Sequence, residues 1–203
     1  MKLIRPPSPV LQPQHDLAPA RRLLATGEKG GAQELLRLRI LDFVDAHPDA
    51  LLRSCVSGHL TGSAFVINHT GTSTLLLLHT KLGKWLQPGG HADGDGNLVH
   101  VAWREATEET GIVGLAVMPE PIDLDIHEVR PPHEPAHHHL DVRFVVVAPP
   151  NAAPVANHES REMRWVPRDD LGSVTDEMGL HRLAGASFHW ADRWLNVADG
   201  ASA

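Results

Sequence analysis

The feature that most restricts how this chain can fold is a predicted helix whose apolar stripe is interrupted by acidic side chains. The segment LVHVAWREATEETG occupies residues 98–111. At about 100° per residue, the apolar residues that share one side of this helix are Leu98, Val101, Ala102 and Ala106. Glu105 and Glu109 fall in the middle of that stripe, and Glu108 lies at its edge. Three carboxylates are therefore predicted where packing is expected.

Carboxylates in such a position need a compensating partner. A buried, unpaired carboxylate is costly, and like charges four residues apart on a helix repel each other. The C-terminal end of a helix also disfavours anions. Two interpretations are open: solvated glutamates at the end of a surface helix, or carboxylates that share a divalent cation. Ligation by oxygen alone suits Mg²⁺, with Mn²⁺ as the alternative, and both ions also bind substrate phosphates.

Composition excludes several classes of protein. The 203 residues allow one domain with extensions or at most two small ones. A formal charge of −7 argues against a partner that is a nucleic-acid polymer. Because Cys55 is the one cysteine, neither an internal disulfide nor a thiolate zinc cluster can form. The sequence shows no signal peptide and no apolar run long enough to span a membrane, so we expect a cytoplasmic protein.

The rest of the chain predicts a mixture of helices and strands. Residues 1–32, rich in proline and glycine, predict a loosely ordered arm. The predicted helices cover 33–46, 98–110 (between the N-cap Asn97 and the left-handed residue Gly111) and roughly 176–195. The predicted strands are a hairpin of 63–69 and 73–80, and segments near 113–126, 140–148 and 162–166. Because strands and helices do not strictly alternate, this pattern indicates an α+β fold or a layered α/β/α sandwich.

The acidic helix and the glycine bend before it resemble the signature of the Nudix hydrolase family, G-x5-E-x7-R-E-U-x-E-E-x-G-U. Gly90 is followed at the family's spacing by Arg104-Glu105-Ala106-x-Glu108-Glu109-x-Gly111-Ile112. The resemblance implies a Nudix-type α/β/α sandwich with a mixed central sheet. It further implies an N-terminal arm and helical extension over 1–55, followed by the Nudix domain over 56–203.

One position departs from the family pattern. The first glutamate of the signature would fall at residue 96, which is Gly96 in this chain. In the family that glutamate commonly pairs with the arginine of the signature, which is Arg104 here. We expect Asp93 or Asp95 to pair with Arg104 instead.

The resemblance implies a metal-dependent hydrolase that acts on acid anhydrides. Its substrate would be a nucleoside diphosphate linked to another moiety, or a related organic pyrophosphate, cleaved by attack of water at phosphorus. Carried over by position, the metal ligands are Gly90 (through its carbonyl), Glu105, Glu108 and Glu109, and the catalytic residues are Glu105, Glu109 and Glu159. Arg104 would orient the helix glutamates and Gly89 would shape the loop. Glu159 stands for the additional glutamate that family members often recruit from a later loop; its alternatives are Glu162 or an ordinary exposed loop residue.

Candidate substrate contacts lie on a predicted strand and before the glycine bend. In HHHLDVRF, alternation places His139, Asp141 and Arg143 on one strand face, where they would line a pocket for a small phosphorylated substrate. Arg143 would pair with a phosphate or with Asp141. Trp85 would stack on a base or simply pack in the core. A solvated strand face beside a histidine-rich loop, able to bind a transition metal adventitiously, is the alternative.

Two other functions fit parts of the sequence. A catalytically silent Nudix-fold module that binds nucleotides without turnover is supported by Gly96, whereas the three retained helix glutamates oppose it. His91 follows the glycine pair where the related isopentenyl diphosphate isomerases use a metal-binding histidine. The cysteine pattern of those enzymes is absent, because Cys55 lies well before the signature. Residues 34–55 would either cap the pocket or build a homodimer contact.

Overall fold

The computed structural model describes residues 2–27, 30–132, 134–155 and 160–200. The helices are α1 (Ala18–Thr26), α2 (Gly31–Ala46), α3 (Leu98–Thr110), α4 (Leu171–Val174) and α5 (Met178–Gly200). The strands are β1 (Gly58–Ile67), β2 (Ser73–His79), β3 (Trp85–Leu86), β4 (Gly89–His91), β5 (Ala116–Val117), β6 (Asp123–Val129), β7 (His137–Val147) and β8 (Ser160–Pro167). Within the described part of the chain, no helix combines the length and apolar character needed to cross a bilayer.

All eight strands of the described residues join one mixed sheet. β1 and β7 pair in parallel along their length, from Gly58 opposite His138 to Ile67 opposite Val147. The pairs of β1 with β2 and β4, of β2 with β3 and β8, and of β7 with β5 and β6 are antiparallel. The single long parallel pair therefore forms the centre of the sheet.

Helices cover both faces of this sheet. On one face, alternate residues of β1 and β7 such as Leu60 and Phe144 share a core with α3 and the N-terminal helices. On the other face, Phe65 and Val145 pack against α5. Gly62 lets α3 approach β1 closely, because a Cβ atom there would lie 2.9 Å from the Val101 side chain. The prediction of an α+β fold with an α/β/α arrangement and a mixed sheet is confirmed.

Several boundaries differ from the predictions. β1 begins five residues before the predicted 63, and β7 begins at His137, so that the histidine run belongs to the strand. The single strand predicted near 113–126 is two strands, β5 and β6, because Pro119 and Pro121 lie between them and lack backbone N–H donors. For α3 both caps are confirmed: Asn97 accepts a hydrogen bond from a backbone N–H, and Gly111 has φ of 65°.

The prediction of a loosely ordered N-terminal arm is wrong. Ile4 forms a bridge with Val117, α1 packs against α2, and Leu11 and Leu24 are buried in the core that also contains α3. The prolines and glycines at the ends of this segment favoured a prediction of irregular structure. The short helix α1 lies between them, and a helix of this length is stable only when it packs against the rest of the domain. The division at residues 55 and 56 stays a prediction.

The N-terminal segment also explains Gly96. The Gly96 N–H donates to the Gln14 carbonyl at 2.7 Å, and the Gln14 N–H donates to the Asp95 carboxylate at 2.9 Å. A Cβ atom on Gly96 would lie 1.8 Å from the carbonyl oxygen of Asp16. The backbone before α1 therefore occupies the space that any side chain at position 96 would need.

Gly96→Ala should destabilise the protein, because the new Cβ atom can be accommodated only if the 14–16 backbone moves. Overpacking of this kind typically costs ~1–3 kcal/mol, and we expect the free energy of unfolding, measured in urea, to fall by an amount in this range or above it. Gly185→Ala is the matched control: its Cβ meets nothing within 4 Å on α5, and alanine should stabilise a helix by ~0.5–1 kcal/mol. Equal stabilities of the two variants would contradict the contact.

Candidate active site

The glutamates of α3 converge on the glycine bend at β4. The Gly89 N–H donates to Glu109 Oε2 at 3.0 Å. The Glu105 carboxylate lies directly over Gly90, where a Cβ atom would be 2.4 Å from its Cδ atom. Glu109 is 8% exposed and the Glu105 side chain 13%, whereas the Glu108 side chain is 59% exposed. Two largely buried carboxylates therefore share one short stretch of backbone, with a third at the solvent boundary.

Arg104 links this group to β4. Its Nη1 atom lies 2.8 Å from Glu105 Oε1 and 3.3 Å from Glu108 Oε2, and its Nη2 atom donates to the His91 carbonyl at 3.2 Å. Arg104 therefore connects the Glu105 and Glu108 carboxylates to β4, as expected of a residue that orients the helix glutamates.

The predicted substitute partners of Arg104 are wrong. Asp93 pairs with Arg53 at 2.7 Å, and Asp95 pairs with His100 at 2.6 Å. Asp95 also accepts the N–H of Gln14, so its carboxylate is used to anchor the N-terminal segment. Arg104 instead pairs with Glu105 and Glu108 of its own helix.

The donors gathered at this bend fit Mg²⁺ or Mn²⁺. The Glu105 and Glu109 side chains, which are the best buried, offer only oxygen atoms, and hard divalent cations prefer such ligands while keeping several waters. A bound cation would add to the ion pairs that Arg104 already makes with Glu105 and Glu108. The roles of these glutamates and of the Gly90 carbonyl as ligands stay predictions.

A second polar group lies on the other face of the central strands. Arg143, 5% exposed, donates to Asp141 at 2.6 Å, to Asp123 at 3.1 Å and to Asp125 at 3.2 Å. Arg182 of α5 donates to Asp123 at 2.8 Å and to Asp125 at 2.7 Å. Burial by itself would raise the pKa of Asp141, but the charge and hydrogen bond of Arg143 hold that pKa below its ordinary value. The network joins β6, β7 and α5.

Of the two partners considered for Arg143, the structure brings it to Asp141. Three carboxylates and the Gly179 carbonyl surround its guanidinium, so its geometry favours a positioning function. Contact with a phosphate stays a prediction.

The neighbours of His139 on the polar face include two other histidines, His91 and His59. Its ring centroid is 4.9 Å from that of His91 and 5.1 Å from that of His59. Burial, reinforced by the neighbouring imidazoles, lowers the pKa of His139 to about 3, and burial lowers the pKa of His91 to about 4. Both rings are therefore neutral near pH 7.

The remaining predicted residues are less informative. Trp85 on β3 is half-buried against the core beneath α5, with the Arg164 guanidinium 4.9 Å from its ring centroid. This favours the packing role, and stacking on a base stays a prediction. Glu159 lies outside the described residues. The alternative, Glu162, is exposed on β8 and pairs with Arg164 at 3.2 Å.

Sequence reasoning missed three residues on the polar face in the early part of β1: His59 and Thr61, which precede the predicted strand, and Ser63, which begins it. The hydroxyls of Thr61 and Ser63 donate to Asp141 at 2.8 and 2.9 Å. Extending the alternation of polar residues back from position 63 would have placed His59 and Thr61 on the same face as Ser63. The link from Asp123 to Arg182 has no such signal, because these residues lie 59 positions apart.

Arg143→Gln should lower the free energy of unfolding by ~3–5 kcal/mol, because it leaves the buried Asp141 carboxylate without its charge partner. Arg21→Gln is the control, since the exposed pair of Arg21 with Asp45 should contribute less than ~1 kcal/mol. Urea unfolding of both variants measures the difference. A loss at Arg143 as small as that at Arg21 would show that the network does not support the fold.

Comparisons with known proteins agree with this architecture. The NUDIX domain family model matches residues 59–186. A NUDIX-family hydrolase from Clostridium perfringens is 24% identical with a TM-score of 0.50, over 63% of this chain and 95% of its own. A C. elegans Ap4A hydrolase is 17% identical with a TM-score of 0.52, over 63% and 93%. The E. coli dihydroneopterin triphosphate pyrophosphohydrolase is 14% identical with a TM-score of 0.51, over 64% and 95%.

The comparison with curated proteins finds no significant match. At these identities the solved structures show a shared fold. The family model covers more than half of the chain, including β1, the glycine bend, α3 and the polar face. The chain belongs to the NUDIX domain family.

Proposed function

We propose that the protein is a metal-dependent pyrophosphohydrolase that cleaves the diphosphate bond of a nucleoside diphosphate linked to another moiety, or of a related organic pyrophosphate. The observation that carries this proposal is the meeting of the Glu105 and Glu109 carboxylates at the Gly89–Gly90 backbone. Two carboxylates held close together repel each other, and a divalent cation bound between them would offset that repulsion. The same cation would bind the phosphate chain of a substrate.

Bound Mg²⁺ or Mn²⁺ would neutralise the diphosphate and polarise phosphorus for attack by water. Glu105, Glu108 and Glu109, with the Gly90 carbonyl, would hold it. Gly89 positions Glu109 through its N–H, and Arg104 restrains Glu105 and Glu108. The additional glutamate from a later loop is proposed to be Glu159, as a metal ligand or as the general base, with Glu162 as its alternative.

The proposed substrate class is defined only by its diphosphate group and not by the moiety attached to it. The two similar structures named as an Ap4A hydrolase and a dihydroneopterin triphosphate pyrophosphohydrolase differ in the group that carries the phosphate chain. What they share is a phosphate anhydride, which supports a small phosphorylated substrate for this chain. Trp85 and His139 are the proposed contacts to the remainder of that substrate.

Glu109→Gln should lower turnover at least ~100-fold, because it removes a charged metal ligand while an amide oxygen can still accept the Gly89 N–H. The assay is release of phosphate or nucleotide with Mg²⁺ across dinucleotides, nucleotide sugars and nucleoside triphosphates. Glu120→Gln, an exposed loop residue with the same change of charge, is the matched control and should retain activity.

Near-wild-type turnover of Glu109→Gln would remove the assigned role of this glutamate. If the wild-type protein binds members of the panel and hydrolyses none of them, the silent nucleotide-binding module is the correct function. Isopentenyl diphosphate is added to the panel, and its isomerisation would identify the protein as an isopentenyl-diphosphate-isomerase-like enzyme.

Gly90→Ala should reduce turnover without unfolding the protein. The new Cβ atom would overlap the Glu105 carboxylate, which is the end of a flexible side chain and can move aside. Misplacing a reacting group by about 1 Å can cost ~100-fold in rate, so we expect a loss of that order with little change in Tm. Gly185→Ala serves as the control for activity. Unchanged turnover of Gly90→Ala would show that the position of Glu105 is not critical.

A further inference from the structure

Three histidines of the central strands, His59, His137 and His139, face one another on the polar face, and of these only His139 enters the proposed function, as a substrate contact. His59 of β1 is in register with His139 of the parallel strand β7, and His137 precedes His139 by two residues on the same strand face. One potential ligand nitrogen from each ring lies within 4.8 Å of the other two. We propose that His59, His137 and His139 bind one transition-metal ion of the Zn²⁺ class through their imidazole nitrogens.

The spacing of the rings fits such an ion. Two nitrogens bound to one tetrahedral zinc at ~2.0–2.1 Å are about 3.3 Å apart. Rotation of the rings about their side-chain bonds would have to shorten the present separation, which is at most 4.8 Å, to that value. Register and alternation already place the three side chains together on one strand face.

His59 lacks the partners that a buried imidazole needs. It is 2% exposed, and within the described ranges neither Nδ1 nor Nε2 meets a hydrogen-bond partner. The Cys55 backbone carbonyl lies near enough to favour a ring N–H but outside hydrogen-bond geometry, and it cannot engage the lone pair of the other nitrogen. Burying an unsatisfied polar group is costly. Coordination of a metal ion would satisfy that lone pair.

His137 is already oriented as metal-binding histidines usually are. Its Nδ1 atom lies 2.8 Å from the Pro135 carbonyl, and because a carbonyl only accepts, Nδ1 carries the proton. The lone pair is then on Nε2. A second ring nitrogen that donates to a backbone carbonyl is the usual support of a histidine ligand, since it sets both the tautomer and the ring direction.

The charge state of the rings is also suitable. Burial lowers the pKa of His59 and of His139, so both are neutral at physiological pH, and the neutral imidazole is the form that binds metals. Three nitrogen ligands select Zn²⁺ and related ions, whereas the oxygen donors of Glu105 and Glu109 select Mg²⁺. The rings of His91 and His127 border the group and could complete its coordination.

The test is zinc binding by the full chain, prepared without a histidine tag and stripped of metal, in buffer with excess Mg²⁺. Calorimetry should show one Zn²⁺ per chain, and Co²⁺ should give the visible absorption of a tetrahedral nitrogen-rich site. His59→Phe, which keeps a ring and removes both nitrogens, should weaken Zn²⁺ binding at least ~100-fold, as should His139→Ala. His69→Ala, in an exposed turn, is the control and should bind as the wild type does.

Absence of zinc binding by the wild-type chain would overturn the proposal. So would unchanged affinity in folded His59→Phe and His139→Ala, since binding would then come from elsewhere. Glu109→Gln separates this site from the proposed hydrolase: it should bind Zn²⁺ normally while losing turnover. Loss of zinc binding in that variant would assign the ion to the carboxylates instead.

Discussion

The parallel pairing of β1 with β7 is the constraint on which the rest of the structure depends. Because side chains alternate along both strands, the shared register collects Leu60 and Phe144 on one face and His59 and His139 on the other. The apolar face holds α3, and α3 carries the carboxylates to the glycine bend. A one-residue shift of either strand would exchange the faces and separate both groups.

The two polar groups of the molecule are stabilised in different ways. On the strand face, Asp141 is surrounded by donors from Thr61, Ser63 and Arg143, so its charge is fully paired inside the protein. On α3, Arg104 pairs with Glu105 and Glu108, and the Gly89 N–H donates to Glu109. The paired, buried group on the strands makes a rigid support, whereas the carboxylates of α3 are the ligands that we propose for a divalent cation.

The N-terminal segment is part of the support of the candidate active site. Its backbone lies where a side chain at position 96 would project, and Asp95 anchors it beside the start of α3. The departure of Gly96 from the family signature therefore has a steric reason in this chain. Glu105 and Glu109 lie in the second half of α3, whereas that contact lies just before its first residue.

Local sequence determined α3, its caps Asn97 and Gly111, and the family, because these depend on periodicity, capping and the spacing of a compact motif. It also placed Glu105 and Glu109 on the buried side of the helix. Only the tertiary structure decided the partners of Arg104 and Arg143, the order of residues 2–27, and the meeting of His59 with His139. The contacts of Ile4 with Val117 and of His59 with His139 join residues far apart in the chain. The choice among nearby partners for the two arginines also follows from strand register and from packing of whole elements, which no local pattern encodes.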